Sequence, residues 1–89
     1  MFVSWGVETT KKFSKEELES ILTALLEEST YGIVLRAKGI VEGTDGKWIH
    51  FDYVPGEPDI RTGSAGITGR LCVIGSHLNE EALEGLFGV

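Results

Sequence analysis

His50, Asp52, Cys72 and His77 make up the set of side chains with metal-ligand chemistry. Zinc sites draw on close pairs such as C-x-x-C or H-x-x-x-H, and neither spacing occurs here. His50 and Asp52 stand two residues apart, which on a strand puts both on one face. Two ligands can converge there, so this pair is the weak metal candidate of the chain. No bound cofactor is expected. Cys72 sits inside an apolar run and reads as a small core residue. His77, just before a helical pattern, reads as a turn or surface residue. Gly63, Gly66 and Gly69 make a glycine-rich loop. A phosphate cradle needs its last glycine followed by Lys and Ser or Thr at the opening of a helix. Arg70 and a strand pattern follow instead, and the dinucleotide fingerprint fails for want of the same helix. Ser64 and Ser76 lack the strand–turn–helix elbow of a nucleophile. The carboxylate pairs Glu16-Glu17, Glu27-Glu28 and Glu80-Glu81 fall near helix ends, where those at the starts complement the dipole and the rest are solvated. No catalytic set is expected.

Arg36 and Lys38 carry a more informative pattern. They lie two apart on one strand face, flanked by Val34 and Ile40. The partner strand brings Trp48, His50 and Asp52 to the same side, provided the helices cover the other. One reading is an exposed sheet face with ordinary cross-strand charge pairs, such as Arg36 with Asp52. The other is a docking surface, because Arg beside an exposed Trp is the composition of interface hot spots. Arg36, Lys38, Trp48, His50 and Asp52 are therefore the candidate interaction residues.

The composition narrows the partners. Only 8 Lys and Arg stand against 14 Asp and Glu, for a net charge of −6. Nucleic-acid binders concentrate cations to neutralise phosphates, so neither nucleic acid nor an anionic membrane is an expected partner. No apolar run approaches the ~20 residues that span a bilayer. The single cysteine excludes an internal disulfide and fits a reduced, cytoplasmic setting. With 89 residues, 42% of them hydrophobic, the chain is expected to form one domain over residues 1–89 with a modest core.

The elements that must hold these residues can be read from periodicity. Val3, Trp5 and Val7 alternate on a first strand, Phe2 to Thr9. Ser14 and Glu17 form a capping box, with Phe13 and Leu18 in staple positions. Leu18, Ile21, Leu22, Leu25 and Leu26 then make one apolar helical stripe, and Gly32 ends the region. Ile33 to Glu42 reads as a strand with Ile33, Leu35, Ala37 and Val41 on the covered face and Val34, Arg36, Lys38 and Ile40 on the other. Asp45-Gly46 turns it into a hairpin with Lys47 to Val54. Glu57 to Arg61 is a short edge strand that tolerates Pro58. Gly63 to Gly69 is a loop, and Arg70 to Gly75 a central strand. Asn79 caps a last helix with Ala82, Leu83, Leu86 and Phe87 inward. The expected fold class is α+β: a single mixed β-sheet of four to five strands, β-α-β-β-(β)-β-α, with two helices packed on one face. The first helix is a crossover between strands of the same direction.

Three segments carry a family likeness. Val3-Ser4-Trp5, Leu35-Arg36-Ala37-Lys38-Gly39-Ile40, and Arg70-Leu71-Cys72-Val73-Ile74-Gly75 followed by Leu78-Asn79-Glu80-Glu81-Ala82-Leu83 and Leu86 resemble the C-terminal domain of the CobW family. The likeness runs over nearly the whole chain. It implies an accessory domain of P-loop GTPases that deliver cobalt, zinc or other metals to target proteins and cofactor pathways. The nucleotide motif, the cysteine-rich metal motif and the histidine-rich stretch that the resemblance implies for other parts of such proteins do not occur in these residues. The implied function is a non-catalytic protein-interaction domain, whose partner is the GTPase domain or its metalloprotein target. The alternative is a small metal- or ligand-binding sensor that forms a homodimer through its open sheet face.

Overall fold

The structure, a computed structural model, describes residues 1–89. Its elements are β1 (Val3–Thr9), β2 (Lys12–Phe13), α1 (Lys15–Ala24), α2 (Glu28–Tyr31), β3 (Ile33–Gly43), β4 (Trp48–Val54), β5 (Glu57–Thr62), β6 (Gly69–Ser76) and α3 (Glu80–Phe87). The strands form one sheet in the order β1-β6-β3-β4-β5. Every pair is antiparallel except the two-residue ladder of β2 on β3. This is the expected α+β class, with two short elements added, β2 and α2. β1 and β3 do run in one direction, but they are not neighbours, because β6 lies between them.

Local sequence chemistry sets the helices. Ser14 Oγ accepts a hydrogen bond from the Glu17 amide at 3.0 Å, and Asn79 Oδ1 accepts one from the Ala82 amide at 3.1 Å. Each satisfies an amide that the first helical turn leaves unpaired. The staple residues Phe13 and Leu18 are fully buried. The stripe on α1 stops at Leu25, which is buried, whereas Leu26 is exposed. The Leu26 amide bonds back to Thr23 and the Glu27 amide to Ala24, each three residues back. That tighter turn rotates Leu26 out of the stripe.

Leu18, Ile21 and Leu22 of α1, Leu25 at its C-cap, and Leu83 and Phe87 of α3 pack on the same face of the sheet. They meet Trp5, Ala37, Val41, Phe51, Tyr53, Leu71 and Val73, which alternate along β1, β3, β4 and β6. Two glycines permit close approach. The inward position of Gly39 lies under the Phe51 ring, and a Cβ on Gly75 would collide with the Ile33 carbonyl.

The expected alternation fails at one place in β3. Val34, assigned above to the face of Arg36, is buried, while Ile33 and Leu35 are exposed. Val34 pairs with Gly75 and Arg36 with Ile74, so Leu35 is the extra residue of a β-bulge. A bulge shifts the pleat by one residue, which exchanges the faces on its two sides.

Tyr53 is buried and its hydroxyl has no hydrogen-bond partner. Burial raises its pKa; the Gly56 backbone opposes that shift without reaching hydrogen-bonding geometry. An unpaired buried hydroxyl costs ~1–3 kcal/mol. Tyr53→Phe should therefore leave the midpoint of urea unfolding unchanged or raise it. Above pH ~10, the ordinary phenol value, the unfolded chain loses this proton before the folded one does. Stability then falls with pH in the wild type, and that part of the fall should be missing in Tyr53→Phe.

Candidate functional site

Both long helices lie on one side of the sheet, so the opposite side is uncovered. Each strand turns its other residues to it. Pairing aligns these in cross-strand rows. Gly6, Cys72, Lys38, Asp52 and Asp59 form one row, and Glu8, Arg70, Ile40, His50 and Arg61 the next. The sheet curves around them into a shallow concavity of about 700 Å³.

Charge is distributed unevenly over the molecule. Arg36, Lys38, Arg61 and Arg70 line the concavity against Glu8 and Asp52. Half of the chain's 8 basic residues thus meet there. The opposite layer is acidic, with Glu16, Glu17 and Glu19 on α1 and Glu80, Glu81 and Glu84 on α3. With Asp59 also on the open face, that side sets four cations against three carboxylates, while the helical layer is the more acidic side of a protein whose net charge is −6.

The ion pairs on the open face fall into a tight group and a loose one. Arg61 holds Asp59 at 2.7 Å and Asp52 at 3.0 Å. The hydrogen bond that Arg61 donates to Asp52 is the main cause that raises the Arg61 pKa above its ordinary value. Arg36 reaches Asp52 at 3.6 Å and Arg70 reaches Glu8 at 3.5 Å. The Arg36–Asp52 pair is the cross-strand pair expected from the sequence. Lys38 makes no ion pair, although Asp52 stands opposite it in register. Exposed pairs of this kind are worth ~0–1 kcal/mol, so they exchange readily for an incoming anion.

All five candidate residues lie on this face, but they are not equally available. Arg36 and Lys38 are exposed. Trp48 is half-buried beneath the loop from Gly63 to Thr68, with Gly66 passing over its ring. His50 donates from Nε2 to the Ser64 carbonyl at 2.8 Å, which anchors the same loop. Asp52 accepts a hydrogen bond from Arg61 and forms a looser ion pair with Arg36. His50 and Asp52 thus share a face while each serves another contact. No group of three or more His, Cys, Asp or Glu side chains is placed to hold a metal ion.

Cys72 departs from its expected place. It is half-exposed on the open face, opposite Lys38, because Leu71 and Val73 take the buried positions on either side. His77 lies in the turn before α3, as expected, with φ of 55°. Arg61, Arg70 and Gly6 were not among the sequence candidates. The outward phase of Arg70 and Cys72 between Leu71 and Val73 was the available signal for β6.

Comparison with known proteins agrees with this architecture. Residues 2–88 match the family described as the cobalamin synthesis protein cobW C-terminal domain. The fold is similar to the crystal structure of the Zn(II)-bound YjiA GTPase from E. coli, with 25% identity and a TM-score of 0.75. It is also similar to a Zn(II)-bound triple mutant of YjiA GTPase, with 25% identity and a TM-score of 0.77. Both alignments cover 98% of this chain and 29% of the other. A search of curated proteins finds no match. No helix is long and apolar enough to cross a membrane. A match over nearly every residue, on a sheet whose R-x-K-G and R-L-x-x-I-G strands lie side by side, decides the kinship: the chain belongs to the CobW C-terminal domain family.

Proposed function

We propose that this domain is a non-catalytic docking module that uses the open face of its sheet to engage the GTPase domain of a CobW-family protein. The observation that carries this reading is the concentration of Arg36, Lys38, Arg61 and Arg70 on a face that no helix covers. Exposed Ile40 and Ile74 lie among these cations. Exposed apolar side chains rimmed by polar groups, with arginine prominent, favour a partner interface. Kinship with a Zn(II)-bound GTPase supports placing that partner in metal delivery to proteins or cofactors.

The test is calorimetric binding to the GTPase domain of a CobW-family protein from the same organism. Arg36→Glu combined with Lys38→Glu should weaken the Kd at least tenfold, about 1.4 kcal/mol, with the circular dichroism spectrum and Tm unchanged. Like-charge opposition at an interface costs more than a lost contact, so the reversal is the sensitive variant. A Kd unaltered by the double reversal refutes the docking face.

A further inference from the structure

We infer that the segment seated on the open face is acidic, and that one of its carboxylates enters a depression floored by Gly6 and Cys72 between Lys38 and Arg70. The inference rests on the docking reading and specifies what the partner presents.

Two independent observations lead to it. The first is electrostatic. Lys38 lies in the middle of the sheet with no ion-pair partner, while Asp52, opposite it in register, pairs with Arg61 at 3.0 Å and Arg36 at 3.6 Å. Arg70 has one ion-pair partner, Glu8, at 3.5 Å, and its side chain is 75% exposed. Both cations can turn toward an added anion without breaking a tight pair. The second observation is Gly6. It pairs with Cys72, and Cys72 pairs with Lys38, so the three form one row across β1, β6 and β3. Nothing in the backbone calls for glycine there. Its φ is not positive, and a Cβ would meet only the Leu71 carbonyl, at 3.5 Å. A glycine weakens a strand, and close approach of a ligand or another backbone is one of the reasons a strand carries one. Gly6 and Cys72 are small, and they leave a dip beside the two cations. An extended chain with a short acidic side chain fits that dip, with the carboxylate between Lys38 and Arg70.

The probe is acetyl-hexaglutamate amide, titrated into the ¹⁵N-labelled chain at 50 mM NaCl. Shift changes should centre on Gly6, Lys38 and Cys72, and the affinity should drop at least tenfold at 0.5 M NaCl, since exposed charges are screened there. Lys38→Gln and Gly6→Val should each weaken binding at least tenfold. Glu84→Gln, on the opposite layer, should not. Both test positions suit substitution, because Lys38 is exposed and a Cβ on exposed Gly6 meets only the Leu71 carbonyl, at an ordinary contact distance. Shifts confined to other positions, wild-type affinity in Gly6→Val, or equal binding of inorganic phosphate at matched concentration would each overturn the inference. The two readings separate cleanly. A GTPase domain that binds through Arg36 while hexaglutamate does not removes the acidic segment alone. Hexaglutamate binding without the GTPase domain removes that partner and keeps the acidic site.

Discussion

Phe87→Ala should lower the free energy of unfolding by ~3–5 kcal/mol, the range for emptying a buried aromatic site. Small domains are stable by roughly 5–15 kcal/mol in total, so this single truncation removes a large share. Phe87 is fully buried. Its ring lies 5.7 Å from that of Trp5, tilted by 33°, and this contact ties α3 to the edge strand β1. The Phe87 carbonyl also accepts from Lys11 Nζ at 2.7 Å, and the same ammonium pairs with Glu17 on α1 at 3.0 Å. Loss of the ring therefore loosens α3, β1 and the segment that enters α1. At about 4–8 °C per kcal/mol for a domain of this size, calorimetry should record a fall in Tm of at least ~12 °C. A fall of less than ~4 °C would mean that α3 contributes little to the core.

Gly39→Ala should cost ~3 kcal/mol, at the upper end for overpacking. The added Cβ would come within 2.6 Å of the Phe51 ring and 2.8 Å of the Arg70 carbonyl. One neighbour is backbone of the central strand. The other is a buried ring. Phe51 stands opposite Gly39 across the β3–β4 ladder and covers it, so the two positions act as a pair. Coupling gives the sharper check. In a Phe51→Leu background the same Gly39→Ala change should be milder by at least ~1 kcal/mol in a double-mutant cycle. Strict additivity would show that the ring is not what the methyl meets. This packing also explains why the glycine follows Lys38 in the R-x-K-G strand. The cation points to the open face, and the glycine leaves room for the ring on the covered one.

Much of this was legible from spacing alone. Ser14 with Glu17 and Asn79 before Ala82 marked both long helices, because a cap is a local contact that needs no partner strand. Asp45-Gly46 marked the hairpin for the same reason. Features that depend on distant residues were hidden. β2 exists only because Lys12 and Phe13 meet Glu42 and Gly43. The bulge at Leu35 arises from the pairing of β3 with β6, and no pattern within Ile33 to Glu42 announces it. The reading of Cys72 as core failed because an apolar run on a strand buried on one side still alternates. Arg61 and Arg70 joined Arg36 and Lys38 through register, across strands that are far apart in the chain.

Cys72 is the only cysteine, half-exposed in the middle of the open face, which makes it a built-in reporter of what covers that face. The rate of its reaction with a maleimide can be followed by mass spectrometry, with and without a saturating CobW-family GTPase domain. Docking on the open face predicts that the partner slows the reaction at least tenfold. A rate untouched by a partner that is demonstrably bound would place the interface elsewhere and contradict the assignment.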